Sequence, residues 1–131
     1  VGLFVPALAA AVQGKVISVD YSPAATAAEQ PCLADCDVEL KSAKVEQVAP
    51  QLPKPGAVVL DPPRTGAGKD VIRSVAAAAP QAVVHVGCDP ATFARDLHYW
   101  DEHGYGIEKM ALINAFPGTH HFETIALITP A

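Results

Sequence analysis

The stretch HVGCDPATFARDL, residues 85–97, sets Cys88 between an apolar run and the start of a helical pattern. A thiol just ahead of a helix N-terminus lies near the partial positive charge of the first peptide units, which favours the nucleophilic thiolate. Asp89 works the other way, because an adjacent carboxylate disfavours a second negative charge. A cysteine at a strand end also suits plain packing, so catalysis by Cys88 needs a partner. Glu123, in GTHHFETIALI (118–128), is the candidate: a carboxylate at a strand start that can serve as a general base, or stand as a solvated strand-end acid. The neighbouring His120 and His121 suggest a metal, but no second ligand cluster has suitable spacing, and the chain reads as metal-free.

Two more acids close strand-like runs. Asp61, in VVLDPPRTG (58–66), precedes Pro62 and Pro63, which stiffen the backbone and fix the direction in which it leaves the strand. Asp20 ends KVISVD (15–20), where an α/β nucleotide-binding unit commonly places an acid for ribose hydroxyls. Cys32 and Cys36 have helical i, i+4 spacing, but without a second pair they read as ordinary thiols. Three cysteines make no disulfide framework, which points to a reducing, cytoplasmic setting.

These residues need elements to hold them. Strands are expected at 15–20, more weakly over DVELKSA (37–43), then at 56–61 and 82–87, the last two as apolar runs buried on both faces. Helices are expected over SPAATAAEQPCLAD (22–35), with Ser22 as N-cap and Pro31 as a possible break, over KVEQVAPQL, and over KDVIRSVAAAA (69–79). A further helix runs from Pro90 to Glu102, capped by Asp89 and stopped by Gly104. Strands near 105–113 and 122–129 have no helix between them and should pair antiparallel. The alternation predicts an α/β doubly wound sheet with helices on both faces, which carries Asp20, Asp61 and Cys88 to its carboxyl edge.

With 131 residues, half of them hydrophobic, the chain suits one globular domain with a core of small branched side chains. Fourteen Asp+Glu against nine Lys+Arg leave a net charge of −5, so there is no basic footprint for gripping nucleic acid unaided. The apolar opening VGLFVPALAAAVQG lacks a charged n-region and is too short to cross a membrane, so no membrane partner is expected. A start at Val1 without methionine reads as an excised piece of a longer chain.

Three ordered motifs then combine. LDPPRTGAG (60–68), GCDPATFARDL (87–97) and NAFPGTHHFET (114–124) resemble the uracil-5 RNA methyltransferase family, whose members methylate C5 of uridine in tRNA or rRNA with S-adenosylmethionine. The resemblance spans the chain, since VGLF (1–4) is similar to the tail of the family's Gly-rich cofactor motif. It implies a Rossmann-like class I methyltransferase sheet and a single, partial cofactor-dependent domain over 1–131. It also implies Cys88 as nucleophile, Glu123 as the base that takes the C5 proton, and Gly2, Leu3, Asp20 and Asp61 at the cofactor. Asp61 and Arg64 fall on the substrate side, and no metal is called for.

Some positions depart from the family pattern. The usual Ser-Cys-Asn-Pro is here Gly87-Cys88-Asp89-Pro90, which adds a charge beside the thiol. Ser42 and Ala43 stand where many members carry an acid near the adenine. The family's first, central strand is expected before Val1, between the strands at 15–20 and 56–61. The piece alone is therefore expected to bind cofactor weakly and to turn nothing over. RNA would be held mainly by regions outside it. A methyltransferase of another substrate class, or a catalytically silent α/β module that binds RNA or a protein, is the alternative.

Overall fold

The computed structural model describes residues 15–20, 38–114, 118 and 122–131. Val1–Gly14, with Gly2 and Leu3, lie outside that set, as do the helix expected over 22–35 with Cys32 in it, Cys36 just beyond it, and His120 and His121. The chain divides into two compact units, Val1–Val48 and Ala49–Ala131.

In the first unit β1 (Val16–Asp20) pairs parallel with β2 (Val38–Ser42), Asp20 standing opposite Ser42. Lys15 and Lys41 bracket Glu39 at 2.9 and 2.8 Å. These are exposed pairs of small energetic weight. A short helix, α1 (Val45–Val48), closes the unit and runs into a 3₁₀ turn at Ala49–Gln51, matching the short helix expected over this stretch.

The second unit is a four-stranded sheet in the order β3 (Ala57–Leu60), β4 (Ala82–Gly87), β6 (Glu123–Pro130), β5 (Tyr105–Ile113). β3 and β4 run parallel, and β6 runs antiparallel to both β4 and β5, as expected for the terminal pair. Two helices, α2 (Lys69–Ala77) and α3 (Pro90–Glu102), link the strands. α3 has the expected bounds: Asp89 caps it, Pro90 sits in its first turn, and Gly104, at φ +81°, turns the chain out. α2 stops two residues before its alanine run ends, because Ala79 turns left-handed at φ 53° and Pro80 cannot continue a helix.

One face of this sheet forms the core. Val83 pairs with Ile128 and His85 with Ala126, and all four are fully buried. Ile72 and Val75 of α2 and Phe93 and Trp100 of α3 are buried with them, in the i, i+3 and i, i+7 spacings of helical stripes. Trp100 meets Tyr105 edge-on, and the Tyr105 hydroxyl donates to the Pro80 carbonyl at 3.0 Å.

The reading of 56–61 as a strand buried on both faces is corrected. Ala57 is exposed and Val58–Leu60 are only half-buried. β3 pairs with β4 alone among the described residues, and β1 with β2 alone. An apolar run marks a strand that sits centrally only when both its flanks are paired.

Candidate active site

Cys88 follows β4 directly and leads into α3. The last β4–β6 pair is Gly87 with Thr124, so Cys88, the residue after β4, and Glu123, the first residue of β6, lie at the same end of the sheet. Both residues are half-buried there. Asp61 comes one residue after β3, whose Leu60 pairs with His85, and so leaves the sheet at this same end.

Local chemistry shapes the turn around the thiol. The Asp89 carboxylate accepts from the Ala91 and Thr92 N–H groups at 2.9 and 3.3 Å, so the extra charge noted in the sequence is spent on the helix N-terminus. Gly87 has its own cause: a Cβ there would collide with the Phe93 ring, which packs across the strand end. Gly87→Ser, the residue usual in the family, is therefore expected to displace Phe93 from the core. It should lower the urea midpoint, by about 1–3 kcal/mol in stability as overpacked sites do, with Phe93→Leu in the same chain restoring part of the loss.

The loop from Asp61 to Gly68 lies along α3. Thr92 Oγ1 donates to the Arg64 carbonyl at 2.7 Å and Arg95 Nη2 to the Thr65 carbonyl at 2.7 Å. The Asp96 carboxylate accepts from the Ala67 N–H at 2.6 Å and the Gly68 N–H at 3.2 Å. Gly66, at φ +82°, allows this approach, since a Cβ on it would sit 2.5 Å from Arg95 Nη2 and 2.6 Å from Asp96 Oδ2. Asp61 is an exposed residue, yet its surroundings strip enough water from the carboxyl to push its pKa up from the ordinary value. Arg64 is exposed, and its guanidinium has no hydrogen bond or ion pair among the described residues.

Asp61, Arg64, Cys88 and Glu123 are thus gathered by the second unit alone. Asp20 ends β1 in the first unit, as expected of a strand-end acid. No group of three or more metal-ligating side chains occurs among the described residues. Sequence reasoning missed Thr92, Arg95 and Asp96, although their spacing of three and four residues was the available sign of a shared helix face.

The tRNA (Uracil-5-)-methyltransferase family profile matches residues 40–130. The chain belongs to that family. An uncharacterized RNA methyltransferase of Corynebacterium glutamicum is 54% identical over 127 residues, covering 97% of this chain and 31% of the relative. Among solved structures, the tRNA (uracil-54, C5)-methyltransferase of Pyrococcus abyssi, in complex with S-adenosyl-L-homocysteine, superposes with a TM-score of 0.82 at 28% identity, covering 98% of this chain and 31% of that one. A precorrin-6y C5,15-methyltransferase from Geobacter metallireducens, 16% identical, reaches a TM-score of 0.68 over 90% of this chain and 68% of its own. At that identity it shows the shared Rossmann-like methyltransferase fold only. This uracil-5 methyltransferase family chain spans about a third of the relatives it matches.

Proposed function

We propose that this chain is the catalytic part of an RNA methyltransferase that methylates C5 of a uridine, in tRNA or rRNA, in the cytoplasm. Residues 1–131 would form part of one cofactor-binding domain, and the rest of a relative-length protein would carry most of the RNA contacts. The observation that supports this reading is the strand register, in which β4 ends beside the start of β6, so that Cys88 and Glu123 come to the same end of the sheet as Asp61.

The donor set suits S-adenosylmethionine. Acids at the carboxyl ends of parallel strands can accept from ribose hydroxyls and an amino group, and Asp61, one residue past β3, is placed for that; the family resemblance assigns Asp20, Gly2 and Leu3 to the cofactor as well. When bound, S-adenosylmethionine supplies an electrophilic methyl group.

The protein's own residues must make uracil C5 able to accept it. Cys88, as thiolate, adds to C6, forming an S–C6 bond and pushing the C5–C6 electron pair onto the ring as an enolate. C5 is then electron-rich. After methylation Glu123 takes the C5 proton, the C5–C6 double bond reforms and the thiolate leaves. Arg64, exposed beside the site, offers a fork of donors to an RNA phosphate. The half-burial of Cys88 keeps the thiol reachable by an inserted base.

A fluorine at C5 cannot leave as a proton, so a relative-length chain given S-adenosylmethionine and 5-fluorouridine RNA is expected to form a denaturation-resistant protein–RNA adduct. Cys88→Ser should abolish it. Methylation that persists in Cys88→Ser would point instead to a methyltransferase of another chemistry, and no adduct with either tRNA or rRNA to a silent module.

A further inference from the structure

Asp96 is fully buried, and a carboxylate taken out of water is costly unless its lone pairs are met. Here they are met by the site. Oδ2 receives the Ala67 N–H and Oδ1 the Gly68 N–H, while Arg95 adds Nε and Nη2 contacts to Oδ1 at 3.3 and 2.9 Å. Gly68 is the N-cap of α2 and has no capping side chain of its own. The N-cap amide of α2 and the amide before it are therefore met in trans, by an acid on α3 placed where a helix N-terminus favours negative charge.

The same face of α3 holds the rest of the loop. Thr92 and Arg95 take the carbonyls of Arg64 and Thr65, and Gly66 N–H closes a turn onto Pro63 at 2.9 Å. Each residue from Arg64 to Gly68 has a backbone group engaged in this way. Cys88 stands two residues before the first turn of that helix, joined through the Asp89 cap.

We propose that Asp96 is a positioning residue: through Ala67 and Gly68, with Arg95 and Thr92 completing the clamp, it locks the loop bearing Asp61 and Arg64 to the helix that begins at the Cys88 turn. The nucleophile and the loop acid are then held by one rigid piece, so the distance between them does not relax when a base enters. A neutral side chain cannot do the same work, since two backbone donors and a guanidinium all converge on this carboxylate.

The catalytic half of this inference rests on the methyl-transfer reading; the clamp itself does not, and the test keeps them apart. In a relative-length chain, Asp96→Asn puts an amide N–H against one of those donors. Hydrogen exchange at the Ala67 and Gly68 amides is expected to quicken at least about tenfold while the Val83 and His85 amides of β4 keep their protection. Unchanged exchange overturns the clamp, whatever the reaction is.

Turnover is then counted per competent site, with sites titrated by 5-fluorouridine RNA. Positioning predicts that each titrated Asp96→Asn site works about ten- to a hundredfold slower, the scale of a misplaced reacting group. Fewer sites that turn over at the normal rate would mean a merely structural acid and overturn the positioning role. A wild-type chain without any adduct fails the methyl-transfer reading instead and removes the catalytic half with it, leaving the exchange result to decide the clamp. Should Asp96→Asn not fold, Thr92→Val removes one loop bond at the edge of the clamp. It should show the same exchange and rate changes at smaller size, and normal values for both would overturn the proposal.

Discussion

Glu123→Gln in a chain of the relatives' length is expected to slow methylation of uridine RNA by about 10²- to 10⁴-fold, the usual weight of a lost general base. It should also do something that loss of structure cannot. Glutamine keeps the shape and the strand pairing opposite Ile113 but cannot take a proton. In the proposed mechanism addition of Cys88 to C6 precedes the base's step, so ordinary uridine RNA should now stall as a methylated protein–RNA adduct that survives denaturation. The check is a denaturing gel with methyl-labelled S-adenosylmethionine, the label migrating with the protein–RNA band. A slow variant that leaves no labelled band would assign the proton to another group. The prediction draws its force from the antiparallel register, since Cys88 and Glu123 reach one place only because β4 ends where β6 begins. Shifting β6 by one residue would turn the carboxylate to the other face of the sheet.

Much of this arrangement was legible from residue types because the signals were local. Asp89, Pro90 and Gly104 punctuate α3 by capping, by a fixed φ and by a left-handed exit, and none of these depends on the rest of the fold. The antiparallel β5–β6 pair was legible from the lack of a crossover helix. The burial of β3 was not, because an apolar run carries no record of whether a neighbour lies on both its edges. The clamp was illegible for a related reason. Asp96 lies 29 residues from the Ala67 N–H it accepts, and in sequence it is simply an acid beside an arginine on a helix. Gly87 carries the same lesson: its reason is the Phe93 ring, six positions away and set over it by the turn at Cys88. The motifs point to the candidate reacting residues, while the contacts around them are defined by tertiary structure.

Trp100→Ala is expected to destabilise the second unit by about 3–5 kcal/mol, the range for emptying a large buried aromatic site. Trp100 is 1% exposed and touches His85 and Tyr105, so its loss opens the core and also strands a polar atom. Trp100 Nε1 donates to His85 Nδ1 at 3.0 Å, and an indole nitrogen can only donate. His85 must therefore keep Nδ1 unprotonated, with its hydrogen on Nε2, facing Asp96 Oδ2 at 3.5 Å. Trp100→Phe separates the two losses: it keeps most of the ring volume, leaves Nδ1 unpaired, and should cost about 1–3 kcal/mol.

The same contact makes stability depend on pH. Burial drives the His85 pKa below its ordinary 6.5, and the nearby Asp96 offsets this only in part. The unfolded chain then binds a proton that the folded one refuses, so the histidine's contribution is full above about pH 6.5 and is lost as pH falls toward the lowered folded value. Trp100 is the only tryptophan in the chain, which makes its fluorescence in urea a direct report on this core. The unfolding midpoint should fall on acidification through that window. His85→Asn retains an acceptor for the indole and removes the titrating ring, so its midpoint should fall less steeply over the same range. Equal slopes in the two proteins would mean that His85 is charged in the fold, and the Trp100 hydrogen bond would have to be reassigned.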